Sequence, residues 1–262
     1  MLEVRNLTTV YQDGTKALDN VSFQVPDGAF LAVIGLSGSG KSTLLRCINR
    51  LIEPTSGEIM WNGTNVAALK GSELRMARRE IGMIFQQFNL VKRSSVMTNV
   101  LSGRLGYINP LFSLINYFPA DDRRRALAAL ERVGLTDKIN NRADALSGGQ
   151  QQRVGIARVL MQGVKLLLAD EPVSSLDPVL AHSILNQLET LNREDKITVV
   201  CSLHYLDLVQ RYSSQVLGLR DGKVVFEGDN KAIRQMTPER FKEIYGEEAE
   251  LVGAGKLSGA EH

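Results

Sequence analysis

The chain alternates between hydrophobic patterns typical of strands and patterns typical of helices. Val21, Phe23 and Val25 alternate with polar residues after the turn dipeptide Asp13-Gly14, which predicts an antiparallel hairpin within the first thirty residues. Short apolar runs predict buried parallel strands at 30–34, 81–85, 166–169, 197–201 and 216–219.

Helical spacing fills the intervals between these strands. One helix is expected from Lys41 to about Leu51, before Pro54. Others are expected around 126–133, ahead of Gly134, and from about Val179 to Leu191. Strands that alternate with helices favour an α/β fold with a mainly parallel core sheet covered on both faces.

Composition narrows the class of protein. Of the 262 residues, 44% are hydrophobic and 23% are charged, which are ordinary values for a globular protein. The net charge of +2 gives no electrostatic reason to expect nucleic-acid binding. Cys47 and Cys201 lie in apolar runs, so buried thiols in a reducing compartment are expected rather than a disulfide framework. The charged start, 1–5, argues against a secretory signal, and no run approaches the ~20 apolar residues of a membrane span. A soluble intracellular protein is expected.

A glycine-rich loop between a strand and a helix carries the strongest chemical signal. It matches G-x-x-x-x-G-K-[ST] and consists of Gly35, Leu36, Ser37, Gly38, Ser39, Gly40, Lys41 and Ser42. Its backbone N–H groups and the following helix N-terminus favour an anion. Lys41 supplies a charge for β- and γ-phosphates, and the Ser42 hydroxyl can ligate Mg²⁺. A chance glycine-serine turn is the alternative, and the flanking strand and helix make it the weaker one.

Two acids follow a second predicted strand. Asp170 at its end can hold Mg²⁺, and Glu171 comes one residue nearer the ligand crevice, where it can polarise an attacking water. Alone, such an Asp-Glu-Pro is more often a turn, but beside a phosphate loop the catalytic interpretation is favoured. His204 closes another strand and is expected at the same crevice, although an isolated histidine there is more often structural. His182 is expected on a helix surface.

A second anion-binding sequence lies far from the first. Ser147, Gly148, Gly149 and Gln150 precede an amphipathic helix expected to begin near Gln151, and a helix N-terminus of this kind attracts phosphate. One chain needs only one such cradle. A head-to-tail dimer, in which this loop caps the γ-phosphate held by the partner chain, explains both.

With these motifs in this order, the chain resembles the ATPase subunits of ATP-binding-cassette (ABC) transporters over nearly its full length. That resemblance implies a P-loop NTPase fold with a mainly parallel core sheet, an N-terminal antiparallel β-subdomain and an inserted α-helical subdomain. The expected division is a nucleotide-binding core at 1–88 and 159–246, a helical subdomain at 89–158 that carries the signature loop, and a flexible tail at 247–262.

The resemblance also implies roles for individual residues. Tyr11 matches the aromatic that stacks on adenine, and Gly35 to Thr43 match the phosphate loop. Gln86 matches the glutamine that touches Mg²⁺ and signals to the membrane partner. Ser147 to Gln150 match the signature that binds ATP across a dimer. The remaining matches are Asp170 with the metal-binding aspartate, Glu171 with the catalytic glutamate, Ser174 to Asp177 with the D-loop and His204 with the switch histidine. ATP and Mg²⁺ are the implied cofactors.

Local sequence indicates a transporter class. The segments 168–178 and 203–208, with Tyr205 between His204 and the later Asp207, are similar to those of phosphonate importer ATPases. Phosphite and hypophosphite importers share these features. Amino-acid importer ATPases resemble the chain more generally at 85–90. A non-transport ABC ATPase or a non-catalytic nucleotide-binding scaffold remain alternatives; the chain length argues against the first, and the intact Lys41 and Glu171 argue against the second.

The resemblance implies partners as well. Expected are a second copy of the chain, a pair of membrane permease subunits, and indirectly a substrate-binding protein, with the chain peripheral on the cytoplasmic face of the inner membrane. The apolar insertion 105–120 either packs inside the helical subdomain or stays partly exposed until a membrane subunit covers it. Trp61 is expected to pack in the core or at an edge, and Arg123 to Arg125 to form a solvated helix face.

Overall fold

The computed structural model describes residues 1–109, 111–112 and 117–246. Its strands are β1 Leu2–Val10, β2 Lys16–Val25, β3 Phe30–Ile34, β4 Ser56–Trp61, β5 Thr64–Asn65, β6 Ile81–Ile84, β7 Leu166–Ala169, β8 Thr198–Ser202, β9 Gln215–Arg220 and β10 Lys223–Asp229. Its α-helices are α1 Lys41–Ile48, α2 Gly71–Glu80, α3 Val96–Leu101, α4 Ala120–Arg132, α5 Gly148–Gln162, α6 Pro178–Glu194, α7 Leu206–Tyr212, α8 Asn230–Arg234 and α9 Pro238–Tyr245.

Two structural units divide the chain, and the first combines Met1–Leu69 with the described part of Leu191–His262. There β2, β1, β4 and β5 form an antiparallel sheet in that order, which confirms the predicted hairpin. A second sheet contains β10, β9, β3 and β8 in that order, and β3 runs parallel to both β8 and β9. Every residue of β3 and β8 is buried, as the continuous apolar runs predict for parallel strands covered on both faces.

The second unit, Lys70–Thr190, contains two parallel strands and a group of packed helices. Strands β6 and β7 pair in register, with Ile84 opposite Ala169. Helices α3, α4 and α5 pack against one another through buried apolar side chains. These include Val100, Ala126, Leu130, Val154 and Ala157. Together with the antiparallel N-terminal sheet, these features match the predicted α/β architecture with a mainly parallel core sheet and a helical part.

Two helix ends differ from the sequence prediction. Helix α1 stops at Ile48 instead of about Leu51, because Arg50 adopts a left-handed backbone with φ of 55° and directs its buried guanidinium to the carbonyl of Val66. Helix α5 begins at Gly148 rather than near Gln151. The Ser147 side chain caps its free N–H groups and offsets the poor helix propensity of the two glycines.

The apolar insertion divides between core and surface. Phe118 is 4% exposed, whereas Leu111, Phe112 and Tyr117 are exposed. The described part of the segment is therefore partly buried and partly exposed, and its coverage by a membrane subunit stays a prediction. Residues 110 and 113–116 lie outside the described residues. The predicted tail, 247–262, also lies outside them. Trp61 and both cysteines are buried, and His182 and the 123–125 face are exposed, as expected. No helix in the described ranges is long and apolar enough to cross a membrane.

Candidate nucleotide site

The phosphate loop leaves the end of β3 and enters α1 through a backbone that requires glycine. Gly35 has φ of 142°, and a Cβ built there would lie 2.2 Å from the carbonyl oxygen of Leu219. Gly40, the N-cap of α1, has φ of 104°, and a Cβ there would lie 2.5 Å from the carbonyl oxygen of Ala17. A side chain at either position would collide with backbone, so the two ends of the loop are fixed by close packing.

Lys41 and Ser39 bring polar groups into the loop. The Lys41 ammonium is buried and donates hydrogen bonds to the carbonyl oxygens of Gly35 at 2.9 Å and Leu36 at 2.8 Å. The Ser39 hydroxyl is buried and has no hydrogen-bond partner among the described residues. A buried hydroxyl without a partner is costly and calls for a ligand or water. The loop therefore fits a phosphate group.

Tyr11 is joined to this loop by its hydroxyl. The phenolic oxygen lies 2.9 Å from the hydroxyl of Thr43 in the first turn of α1, and the residue stays 40% exposed. The turn after β1 holds the tyrosine through two backbone bonds with Thr15 and Gly14. An exposed ring fixed beside the loop presents a face on which a nucleotide base can stack.

His204 follows β8, the strand next to β3. The N–H of Leu203 donates to the carbonyl of Val33 at 3.1 Å, so the pairing of the two strands continues up to the histidine. The carboxyl ends of parallel strands form the usual ligand crevice of an α/β sheet. The first unit thus brings together Tyr11, the phosphate loop and β8, the strand that precedes His204.

The second unit assembles the acidic candidates. Asp170 is buried after β7, and its N–H donates to the carbonyl of Ile84 at 2.9 Å. The Gln86 amide, after β6, donates to the Glu171 carboxylate at 3.0 Å and to the Ser174 hydroxyl at 3.2 Å. Glu171 has φ of 47°, an uncommon left-handed backbone for a residue that is not glycine or asparagine. Strain of this kind is typical of functional sites.

Sequence reasoning missed the contact between Gln86 and Ser174. The two residues are far apart in sequence, and the serine was matched only to the D-loop. Asp177 has a structural contact of its own, since its carboxylate accepts from the N–H of Leu180 and so caps the start of α6. Adjacent polar residues after paired parallel strands are the signal from which such contacts can be sought.

The signature residues cap α5. The N–H of Gln150 donates to the Ser147 hydroxyl at 3.4 Å, and the N–H of Ser147 donates to the Gln150 side chain at 3.0 Å. This reciprocal pair is a capping box. A Cβ on Gly149 would lie 3.2 Å from the Leu180 side chain, so α5 approaches α6 closely here. The hydrogen bonds described for Ser147 and Gln150 hold them to each other rather than to Gln86 or Glu171.

The expected metal ligands are hard oxygen donors. In the first unit Ser42 offers a hydroxyl, and in the second unit Gln86 and Asp170 offer an amide and a carboxylate. Each is an oxygen donor of the kind that Mg²⁺ prefers. Among the described residues, no group of three or more His, Cys, Asp or Glu side chains forms a preformed metal cage. This donor chemistry fits a metal that arrives with a nucleotide.

Comparison with known proteins decides the family. A family model described as ABC transporter matches residues 18–174, and this span includes the phosphate loop, Gln86, the signature and Glu171. The chain belongs to the ABC transporter family. The histidine at 204 lies beyond the matched residues.

Curated relatives of the ABC family match almost the whole chain. The phosphonates import ATP-binding protein PhnC 1 of Halalkalibacterium halodurans is 50% identical over 97% of this chain and 98% of its own. The PhnC protein of Shouchella clausii is 50% identical over 97% of this chain and 95% of its own. PhnC 1 of Oceanobacillus iheyensis is 47% identical over 98% of this chain and its whole length.

Solved ABC cassettes share the fold. The dimeric post-hydrolysis structure of MJ0796 with ADP and Pi is 35% identical, with a TM-score of 0.77 over 88% of this chain and 99% of that one. The ADP conformation of MJ1267 is 29% identical, with a TM-score of 0.81 over 93% and 97%. The ABC ATPase fold therefore extends over most of the chain.

Proposed function

We propose that this chain is the ATP-hydrolysing subunit of an importer for phosphonate or a related reduced-phosphorus anion such as phosphite or hypophosphite. The observation that carries the proposal is the Gln86–Glu171 pair at the ends of β6 and β7, in a chain about half identical to phosphonate import ATPases over nearly its full length. The pair supplies a base for hydrolysis, and the relatives supply the substrate class.

Each site residue has a defined task in this proposal. The phosphate-loop N–H groups and the Lys41 ammonium hold the β- and γ-phosphates, and the Tyr11 ring stacks on adenine. Mg²⁺, held by Ser42, Gln86 and Asp170, would neutralise charge that develops on the phosphates. The oxygen of a water molecule bonds to the γ-phosphorus, and the Glu171 carboxylate accepts the proton that this water loses. The bond from the γ-phosphorus to the bridging oxygen breaks, and ADP keeps that oxygen. His204 orients the γ-phosphate.

Two copies complete two sites in this proposal. Ser147, Gly148, Gly149 and Gln150 of one chain cap the γ-phosphate on the phosphate loop of the other, and Asp177 lies at the same interface. The dimeric MJ0796 cassettes support an arrangement of two chains. A permease pair then receives the motion of the dimer on the cytoplasmic face of the membrane, and a substrate-binding protein delivers the anion. Nucleic acid has no part in this scheme.

Reconstitution with permease and substrate-binding protein tests the proposal. ATP hydrolysis in proteoliposomes is expected to rise when the binding protein carries methylphosphonate or phosphite, and to stay at its basal rate with glutamine or histidine. If only the amino acids stimulate hydrolysis, the chain serves an amino-acid importer rather than a phosphonate importer. ATP hydrolysis by the isolated chain that no permease alters would indicate an ABC ATPase without a transporter.

A further inference from the structure

Two hairpins of the first unit turn through the same pair of backbone conformations. Asn62 and Gly63 join β4 to β5 with φ of 48° and 81°. Asp221 and Gly222 join β9 to β10 with φ of 50° and 75°. Two successive residues with positive φ are typical of the type I′ turn, in which glycine suits the second position. The turn itself therefore accounts for both glycines equally.

The surroundings of the two glycines differ. A Cβ built on Gly63 would meet nothing within 4 Å. A Cβ built on Gly222 would lie 2.8 Å from the carbonyl oxygen of Ala17 and 3.2 Å from the Cα of Leu18, both in β2. Since these atoms belong to the backbone of a packed strand, they cannot move aside as the end of a side chain can. Gly222 is thus required by close packing against β2 as well as by its turn.

The turn at Gly222 also bridges β2 and the phosphate loop. The N–H of Gly222 donates to the carbonyl oxygen of Ser39 in the loop at 3.2 Å. The carbonyl oxygen of Gly222 accepts from the N–H of Asp19 in β2 at 2.8 Å. One buried residue thus uses both of its backbone polar groups to join two segments. A displacement of this turn would therefore move the phosphate loop relative to β2.

The bond to Ser39 sets the direction of a neighbouring N–H group. The carbonyl of Ser39 and the N–H of Gly40 belong to one peptide group, and in a planar trans peptide the two point in opposite directions. Because the carbonyl points towards the hairpin, the N–H of Gly40 points away from it. Anion binding by a loop of this kind depends on N–H groups that are held in fixed directions. Gly222 can therefore influence phosphate binding without contact with the phosphate.

The strand that leads into the turn is held on two sides. A Cβ on Gly35, at the start of the phosphate loop, would lie 2.2 Å from the carbonyl oxygen of Leu219 in β9. The Arg220 guanidinium donates to the carbonyl oxygens of Lys242 and Glu243, each at 3.3 Å, near the carboxyl end of α9. A cation at this end of a helix is favourable because the helix dipole is negative there. Helix α9 thus anchors the hairpin that supports the loop.

We propose that Gly222 is a positioning residue for nucleotide binding: its turn holds the phosphate loop in the shape that binds phosphate, and Arg220 holds the turn. The proposal deepens the proposed function and rests on one part of it, the binding of ATP at the phosphate loop. In this scheme neither residue contacts the nucleotide. A change at Gly222 therefore alters the affinity for nucleotide phosphates rather than the chemical step.

Alanine substitution tests the contact with β2. Gly222→Ala adds the Cβ that collides with the strand, and Gly63→Ala is the matched control, because it has the same turn and open space around it. Gly222→Ala is expected to raise the Kd for ATP and for ADP by about tenfold, or ~1.4 kcal/mol, whereas Gly63→Ala stays within about twofold of wild type. Isothermal titration calorimetry of the isolated chain measures these constants. An unchanged Kd in Gly222→Ala, or an equal rise in Gly63→Ala, would overturn the proposal.

Steady-state kinetics separate positioning from loss of folded protein. In Gly222→Ala the KM for ATP should rise by about tenfold, while kcat stays within about threefold of wild type. A variant that is merely less stable contains fewer active molecules, so its kcat falls and its KM does not change. A fall in kcat at constant KM would therefore overturn the positioning role.

Gly222→Asn distinguishes the contact with β2 from backbone strain. Asparagine tolerates positive φ better than alanine does, but it carries the same Cβ. Its Kd for ATP should therefore stay close to that of Gly222→Ala. Recovery to the wild-type Kd would overturn the proposal, because the effect would then belong to the turn alone.

Arg220→Gln loosens the anchor and adds no atom at the turn, so it decides the question if Gly222→Ala does not fold. Its Kd for ATP should rise by about threefold. Arg234→Gln is the control, since this exposed arginine of α8 also donates to a backbone carbonyl, and it should bind ATP as the wild type does. A wild-type Kd in Arg220→Gln would overturn the proposal. Absence of phosphonate-dependent stimulation in proteoliposomes would defeat the proposed function, while the Kd values of the isolated chain would still decide this inference.

Discussion

The side-chain amide of Gln86 donates to the carboxylate of Glu171 over 3.0 Å, although the two residues are 85 positions apart in the sequence. The same amide lies 3.2 Å from the Ser174 hydroxyl, so it has two acceptors close together. Parallel pairing of β6 and β7 creates this contact because each residue follows the carboxyl end of its strand. A movement of the loop after Gln86 would therefore change the surroundings of the proposed catalytic base directly.

Substitution of Gln86 should separate hydrolysis from its regulation. Gln86→Ala is expected to leave ATP affinity within about tenfold of wild type, a loss under ~1.4 kcal/mol. It should abolish stimulation by loaded binding protein, since the amide that joins the loop to Glu171 is gone. ATPase rates in proteoliposomes with and without binding protein measure this, and Gln87→Ala, at the exposed neighbour, should behave as wild type. Equal stimulation in Gln86→Ala and wild type would exclude Gln86 from coupling.

Glu171→Gln should bind ATP but stall hydrolysis. The amide preserves the shape of the side chain and cannot accept the proton of the attacking water, so the rate should fall by about 10²-fold or more. With ATP and Mg²⁺, size-exclusion chromatography should show a dimer that persists. The control is Glu131→Gln on the exposed face of α4, which should hydrolyse ATP normally. A monomeric, active Glu171→Gln would leave Glu171 as a turn residue only.

Removal of the Lys41 charge should impair nucleotide binding. Hydrogen bonds to charged groups contribute roughly 1.5–3 kcal/mol each, so Lys41→Ala is expected to weaken ATP binding by about 10- to 100-fold and to abolish measurable hydrolysis. Titration with a fluorescent ATP analogue checks the affinity. Lys92→Ala, at an exposed lysine of the second unit, serves as the control. Normal hydrolysis by Lys41→Ala would contradict the phosphate-site assignment.

The ion pair of Arg104 and Asp122 should matter to stability. The Asp122 side chain is 7% exposed and the Arg104 side chain 20% exposed, so Arg104→Met would leave a buried carboxylate without this partner. Such a loss costs about 3–5 kcal/mol. Urea unfolding should show the decrease. The double variant Arg104→Met with Asp122→Leu should recover much of the lost stability. If the single and double variants are equally stable, the ion pair contributes little.

Local signals predicted most of the fold and the phosphate loop. Gly35 and Gly40 could be predicted from the sequence motif, because the backbone torsions and close contacts at these two positions exclude any residue with a side chain. The apolar runs of β3 and β8 predict these strands equally well, since both faces of each strand are buried. Helix α2 was not predicted, and the reason is physical: none of its residues is buried, so no apolar stripe marks it.

Longer-range features could not be predicted in this way. The capping box at Ser147 starts α5 three residues before the apolar pattern does. The hydrogen bond from Gln86 to Glu171 and those from the Arg158 guanidinium to the carbonyl oxygens of Phe88 and Asn89 join segments that are distant in sequence. The adenine and D-loop roles of Tyr11 and Asp177 came only from the family resemblance, and they stay predictions.

The burial of both cysteines has a practical consequence. Cys47 and Cys201 are the chain's only cysteines, and each has no measurable solvent exposure. In the folded state, a thiol reagent should therefore leave the native residues unmodified, and a cysteine introduced on the surface would react selectively. Spectroscopic labels or cross-linkers can thus be attached at chosen positions without first removing the native thiols. The same two groups would become reactive on unfolding, which makes their modification rate a measure of how often the interior opens.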